Sequence, residues 1–286
     1  MKYILTSILI VFGILSASAD STKIDCPKLA VSASATLLAM GASYYVMQNN
    51  WWSDESVGFH FDDGMDLRYA KNLDKVAHFY GGYVAQDLYY RSLRWSNINK
   101  KQAVIWSTGL SCFVQVLIDI KDAYAPKFGF SIFDVAAGSA GAGYGALQRL
   151  YPVLKDYNIK FSYFYRENDS QYKRKWPVED ILEDYPNQIY WLTAGINSIM
   201  PSKMTGFVPE YLGPALGLSI DDKVKHNIKD SGSYQLYLSL DIDFEKLFKP
   251  LNNKILDSAA HYLNYIKFPM PTLRFYPSAR GYWIYM

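Results

Sequence analysis

Apolar and polar positions alternate in two different ways along this chain, and the change falls near residue 155. Before it, apolar residues recur at helical spacing in four long segments. They predict helices over 29–48, 73 to about 95, 102 to about 120 and 133 to about 150. Asn72 stands before the second as an N-cap residue. After residue 155 the period is two. Tyr157, Ile159, Phe161, Tyr163 and Tyr165 share one face of a strand. Tyr234, Leu236, Leu238, Leu240 and Ile242 share a face of another, opposite Gln235, Ser239, Asp241 and Asp243. Short strands fit 272–276 and 282–286, and helices fit 187–200 and 251–266. Residues 206–219 carry Pro209, Gly213, Pro214 and Gly217, which predicts irregular structure.

The expected fold class is α+β: an N-terminal bundle of about four helices over 27–151, then a mixed region with several antiparallel strands over 157–286. Too few alternating segments of about ten residues are present for a closed outer-membrane barrel.

The N-terminus changes the picture from fold to compartment. Lys2, an apolar run over 4–15 and then Ser16-Ala17-Ser18-Ala19 describe a signal peptide over 1–19, cleaved after Ala19. The alternative is an uncleaved anchor. Lys23-Ile24-Asp25 ahead of Cys26 is too polar for lipoprotein processing, so no N-terminal lipid is expected. The address is the cell envelope, exported and periplasm-facing.

Composition narrows the partners. About 265 residues after the leader suffice for a sizeable core. A net charge of +2 argues against nucleic acid. The 25 Tyr and 7 Trp suit surfaces that are half apolar and half wet, membrane interfaces included. Two cysteines, Cys26 and Cys112, exclude a disulfide scaffold, and Cys112 falls in an apolar helical run where packing is its role. The expected partners are membrane or envelope components; protein partners are not indicated.

Two helical segments bear on the membrane. The nearly uncharged run 29–48 is long enough to span a bilayer. The segment 133–150 holds Gly138, Gly141, Gly143 and Gly145, though each glycine costs up to about 1 kcal/mol in a helix. Ala137, Gly141 and Gly145 form the small-xxx-small spacing of closely packed membrane helices; a soluble bundle with one tight crossing is the alternative. Charge leaves the topology open. The stretch 49–72 is acidic and the turn with Arg91, Arg94, Lys100 and Lys101 is basic, so the basic turn should be cytoplasmic. A cleaved leader followed by one spanning helix gives the opposite orientation.

Three acidic motifs carry the candidate chemistry: Asp74-Lys75-Val76-Ala77-His78, Asp119-Ile120-Lys121-Asp122 and Ser131-Ile132-Phe133-Asp134. Asp74, His78, Gly81 and Ala85 share a helix face, as do Gln115, Asp119 and Asp122, and Asp134, Gly138, Gly141 and Gly145. In an up-down-up arrangement the motifs meet at one end. The expected polar site is His78, Asp119, Asp122 and Asp134, with Asp74 at its edge and His78 within hydrogen-bond distance of a carboxylate. Local explanations compete. Ser131 and Asp134 have capping-box spacing. Asp74 lies in a first helical turn, where the dipole favours an anion. Asp119 and Asp122 lie near a helix C-terminus, where it does not. Histidine with several carboxylates suits a divalent metal or proton transfer, so a divalent metal is the one cofactor suggested. His60, His226 and His261 lack ligand-like spacing and read as surface or packing residues. No nucleophile elbow, zinc-protease helix or phosphate-binding loop is present.

Asp74-Lys75-x-x-His78-Phe79-Tyr80-Gly81-Gly82-Tyr83, Asp119-x-x-Asp122-Ala123-Tyr124 and Phe128-Gly129-Phe130-Ser131-x-x-Asp134 resemble the predicted periplasmic lipoproteins of domain-of-unknown-function family 2279. Asp184-Tyr185-Pro186-Asn187-Gln188, Tyr237-Leu238-Ser239-Leu240-Asp241 and Leu263-Asn264-Tyr265-Ile266-Lys267 resemble its long form. A weaker similarity runs to VanZ-like membrane proteins. The family pattern has glutamate where Asp119 stands, glycine where Ala123 stands and asparagine near Gly138. The resemblance implies a compartment and a motif set, and no particular reaction. Two functions fit: a noncatalytic, membrane-associated envelope protein whose acidic motifs lock the bundle, or a metal-assisted envelope hydrolase acting on a lipid or cell-wall-linked substrate.

Overall fold

Four long helices come first and six antiparallel strands follow, the α+β order that the two periodicities require. The computed structural model describes residues 23–52, 54–163, 184–199, 208–221 and 233–285; the leader, Tyr165 and His226 lie outside them. Helix α1 is Cys26–Asn50, α2 Leu73–Trp95, α3 Lys100–Asp122 and α4 Ile132–Leu150. Side chains cap three of them. Asp25 accepts from the Lys28 amide, Asn99 from that of Gln102 and Ser131 from that of Asp134. Asn72 does not cap α2. Ala70, Lys71 and Asn72 all hold positive φ, a left-handed turn in place of the extended backbone an N-cap ordinarily adopts.

Helices α2, α3 and α4 pack on one another, while the most apolar stretch of α1 has no buried residue. Of the four expected helices, α1 packs on the other three only near its ends, with Leu29 against the Leu93, Ile98 and Ala103 cluster and Trp52 at Asp122. Helices α1 and α3 are both long and apolar enough to cross a bilayer. Small residues let α2 and α4 touch backbone to backbone. A Cβ on Gly82 would collide with Gly138 of α4, and one on Gly141 with the Phe79 backbone of α2. The contact face of α2 therefore runs through Gly82 and Gln86, one position beyond the predicted Gly81 and Ala85. A polar seam lines the third side of this contact. Ser111 donates to the Gly82 carbonyl at 2.9 Å, and Gln86 donates to Ser107 at 3.0 Å.

The strands are β1 Tyr157–Tyr163, β2 Gln188–Ala194, β3 Leu212–Ile220, β4 Tyr234–Ile242, β5 Met270–Tyr276 and β6 Arg280–Tyr285, paired in chain order. Two of them correct the sequence reading. Residues 188–194 form a strand, and the α-helix within the predicted 187–200 is, among the described residues, Ile196–Ile199. Residues 212–220 form a strand despite Pro214, which lies opposite Leu240 in the β3–β4 register. Helix α6 (Phe244–Phe248) and helix α7 (Lys254–Leu263) follow β4, the latter within the predicted helix 251–266; Ile196–Ile199 is α5.

The inside of the sheet buries charged and polar groups together with an apolar cluster of Ile189, Trp191, Ala215, Tyr237 and Tyr285. A parallel bridge between Phe161 and Ile266 brings the segment leading into β5 against the free edge of β1, so the sheet curls back on itself. The enclosed face carries Lys160, Ser162, Trp191, Ser219, Tyr237, Ser239 and Asp241, all buried. Lys160 pairs with Asp241 at 2.8 Å and donates to the Ile242 carbonyl, while Lys267 lies over the Trp191 ring. The leucines of the alternation point outward. Helices and sheet share one apolar cluster, Ala70, Leu73, Tyr185, Tyr190 and Ile220.

Candidate functional site

The start of α2, the end of α3 and the start of α4 meet, as antiparallel packing of the three helices demands. Lys75 occupies the middle of this junction. Its Nζ lies 2.5 Å from Asp66 Oδ1, 3.0 Å from Asp74 Oδ2 and 2.6 Å from Asp134 Oδ1. The last contact lies off the hydrogen-bond axis and is an ion pair rather than a directed bond. Tyr185 reaches over from the segment leading into β2, and its hydroxyl donates to Asp74 Oδ1 at 2.6 Å. His78 donates from Nδ1 to Gln115 Oε1 at 3.3 Å. Its Nε2 stands 3.8 Å from both Asp74 Oδ1 and Asp134 Oδ1.

All five predicted side chains lie at this end, with different degrees of contact. Asp74, His78 and Asp134 converge, with one ligand atom each lying within 4.8 Å of the others. Asp119 joins through α4: the Ser131 amide donates to its Oδ1 at 3.2 Å, while its Oδ2 has no hydrogen-bond partner among the described residues. Asp122 is engaged elsewhere and accepts from the Trp52 indole at 2.6 Å.

Two local expectations are corrected. His78 does not hydrogen-bond a carboxylate, because Tyr185 and Lys75 already hold the oxygens nearest to it. Asp134 does not close a capping box with Ser131. Ser131 Oγ accepts the Asp134 amide at 3.1 Å and donates to Asp66 Oδ2 at 2.5 Å, but the Ser131 amide goes to Asp119. Asp119, not Asp134, therefore holds the Ser131 amide at the start of α4, so its carboxyl bridges the end of α3 and the start of α4. The Asp134 carboxylate is left to face Lys75 and His78.

Burial dominates the proton affinities. It raises Asp119 to about 7, a shift opposed by the His78 charge and reinforced by Asp134 and Asp122. Burial, with Asp74 beside it, also raises Asp134 to about 7, against the pull of His78 and Lys75. Asp122 is raised to about 6 by burial, with the Trp52 bond opposing. Burial would raise Asp74 as well, but the charges of His78 and Lys75 and the hydrogen bonds from Tyr185 and Lys75 outweigh it and hold the group below the ordinary carboxylate value. For His78 burial favours the neutral ring; Asp74, Asp134 and Asp119 overcome it and raise its affinity for a proton. A carboxylic acid near neutrality beside an imidazolium can store and pass a proton.

Sequence reasoning passed over Lys75, Asp66, Gln115 and Tyr185 as members of the cluster. Lys75 was visible, since it sits inside the motif Asp74-Lys75-x-x-His78. Tyr185 lies 111 positions from Asp74, a separation that no local pattern bridges. A second cluster was also missed. His261 is not a plain packing residue: its Nε2 lies 2.6 Å from the fully buried Asp87 and its Nδ1 2.5 Å from Glu245. Arg91 and Arg149 both contact Asp87 as well. This cluster ties α2 and α4 to α6 and α7. His60 stays at the surface, with Nε2 2.9 Å from the Phe128 carbonyl.

No curated protein and no solved structure matches the chain, and the likeness to VanZ-like proteins finds no support. The long-form signatures lie beyond the segment that does match. The family description and the apolar helix near the N-terminus together fit an exported, envelope-associated protein. Residues 61–150, which hold α2, α3, α4, Lys75 and every carboxylate around it, match the family described as "Predicted periplasmic lipoprotein (DUF2279)".

Proposed function

We propose that this protein is a noncatalytic, membrane-associated component of the cell envelope, and that its acid–base cluster locks the helices to one another and to the sheet. The carrying observation is Lys75. Its ammonium sits among Asp66, Asp74 and Asp134, so the cation that three converging carboxylates require is supplied by the chain itself. Tyr185 then fastens Asp74 to the strand-rich half. Membrane association is supported by the apolar stretch of α1, none of whose residues is buried, and by the glycine contact of α2 with α4. Lys75→Met tests the lock. It strands buried carboxylates, at a cost of about 3–5 kcal/mol, and should lower the melting temperature sharply. A Lys75→Met protein as stable as the parent would overturn the reading.

A second reading is a metal-assisted envelope hydrolase acting on a lipid or cell-wall-linked substrate. It is favoured by the spacing of Asp74 Oδ1, His78 Nε2 and Asp134 Oδ1. A divalent ion there has one nitrogen and two oxygen ligands, donor types that zinc accepts individually. It also has to displace Lys75 from Asp134 and Tyr185 from Asp74, so the donor set fits only in part.

A further inference from the structure

We infer that the cleft at one end of the curled sheet binds a primary alkylamine, whose ammonium group enters past Glu210 and donates to Asp241 Oδ1. The site belongs to the strand-rich half and depends neither on the Lys75 cluster nor on a membrane.

Antiparallel order brings the start of β1, the end of β2, the start of β3 and the end of β4 to the same end of the sheet. There they border an open cleft of about 250 Å³, whose lining includes Asn158, Thr193, Glu210, Tyr211, Asp241 and Asp243. Tyr185, which serves the Lys75 cluster, precedes β2 and so lies at the opposite end. Asn158 and Thr193 are register partners on the enclosed face. Gly213, the register partner of Asp241, presents no side chain beside it. A cleft at the mouth of a curled sheet, with a few convergent polar groups, is a common form of small-molecule site.

Asp241 is 5% exposed, and only one of its oxygens is answered. Oδ2 pairs with Lys160 Nζ at 2.8 Å. Lys160 gives its other two N–H groups to the Ile242 carbonyl and to Asn264 Oδ1, so none is left for Asp241 Oδ1. Lys267 donates to the Phe268 carbonyl and lies over the Trp191 ring. Oδ1 has no hydrogen-bond partner among the described residues, a costly state for a buried carboxylate oxygen. Burial raises the Asp241 pKa although Lys160 and Lys267 oppose it, so its ionised form is under-compensated. The rim is negative too. Lys246 is engaged with Asp156 at 2.8 Å and Asp243 at 3.7 Å, and the exposed Glu210 has no ion pair among the described residues. This charge selects a cation, and the donor set selects its kind. Among the described residues the carboxylates of the cleft form no group of three close enough to share a metal ion. A guanidinium takes both oxygens of a carboxylate, and Lys160 holds one of them. A compact ammonium needs only the other.

The test uses the full chain in detergent, with butylammonium as the probe. Equilibrium dialysis should show one saturable site. Butanol, the uncharged analogue, should not compete; methylguanidinium should compete more weakly than butylammonium itself, and equimolar calcium should not displace the probe. Asp241→Asn keeps an acceptor for Lys160 but presents an amide N–H to the probe, and should weaken binding at least about tenfold, the loss of one charge-assisted hydrogen bond. A diazirine-bearing alkylamine locates the site in the unaltered chain, whether or not the variant folds: its photo-crosslinks should fall on the segments around Thr193 or Tyr211. Absence of saturable binding, as for a cleft that takes up only water, overturns the proposal. So do binding that a folded Asp241→Asn protein leaves unchanged, crosslinks confined to other segments, and displacement by equimolar calcium. Tighter binding of methylguanidinium would overturn the choice of an ammonium group.

Discussion

Asp119→Asn separates charge from shape at the α3–α4 junction. The asparagine oxygen can still accept the Ser131 amide at the position of Asp119 Oδ1, 3.2 Å away, but the side chain can no longer ionise. Asp119 is 1% exposed and its pKa is raised from 3.8 to about 7. At about 1.36 kcal/mol per pKa unit, ionising it inside the fold costs about 4 kcal/mol. The sign follows from linkage. A carboxylate with a raised folded-state pKa favours the fold most while it stays protonated, below about pH 4. It loses that advantage as pH rises through the window to about 7. Asparagine mimics the protonated acid, so the variant should match the parent only below about pH 4, exceed it modestly at pH 5 and exceed it by more at pH 8. Part of the gain is returned, because the variant removes one of the charges that raise the proton affinity of His78. A net stabilisation of about 1–3 kcal/mol at pH 8 remains, on the scale of one relieved buried charge. Chemical denaturation at both pH values in the same detergent measures it. Equal destabilisation at pH 5 and pH 8 would refute the reasoning, since it would mean that Asp119 acts through its shape and bonds alone.

Tyr185→Phe removes the 2.6 Å hydrogen bond to Asp74 and should destabilise by about 1–3 kcal/mol, because a buried carboxylate oxygen loses its donor; melting of the purified variant checks this. Gly82→Ala and Gly141→Ala should each lower stability by about 1–3 kcal/mol through overpacking, since their Cβ atoms meet backbone rather than a yielding side chain; Gly143→Ala, with open space around it, should be neutral or stabilising. After lysis the protein should pellet with membranes and resist a high-salt wash, and recovery in the soluble periplasmic fraction would contradict membrane association. N-terminal sequencing of the exported protein should begin at Asp20, and mass spectrometry should find Cys26 without lipid.

The helices were legible because their apolar spacing and the capping position at Ser131 are local signals; sequence reasoning passed over the cap at Asn99 and placed one at Asn72 instead. Strand β4 was legible for the same reason, with strict alternation from Tyr234 to Ile242. Strand β3 was hidden by Pro214 and two glycines, residues that weaken strand propensity but fit here: Gly217 lies against the Trp191 ring and Gly213 against the Ala194 backbone. Strand β2 was hidden because Gln188 to Thr193 are all buried apart from Leu192, so its burial does not alternate. Alternation also could not say which face turns inward; curling around Lys160 and Asp241 is a tertiary choice. In the cluster, three helix ends could be placed together from loop lengths. Which carboxylate pairs with which donor could not, because Lys75, Ser131 and Tyr185 divide the oxygens of Asp66, Asp74 and Asp119 among themselves only in the folded chain.

Metal content decides most directly between a self-compensated lock and a metal centre. The full chain, extracted and purified without added chelator, should contain well below one equivalent of any divalent metal by elemental analysis, and its melting temperature should not move on chelation. One equivalent of metal per chain, lost in His78→Gln and Asp134→Asn proteins that remain folded, would contradict the account and establish Asp74, His78 and Asp134 as ligands.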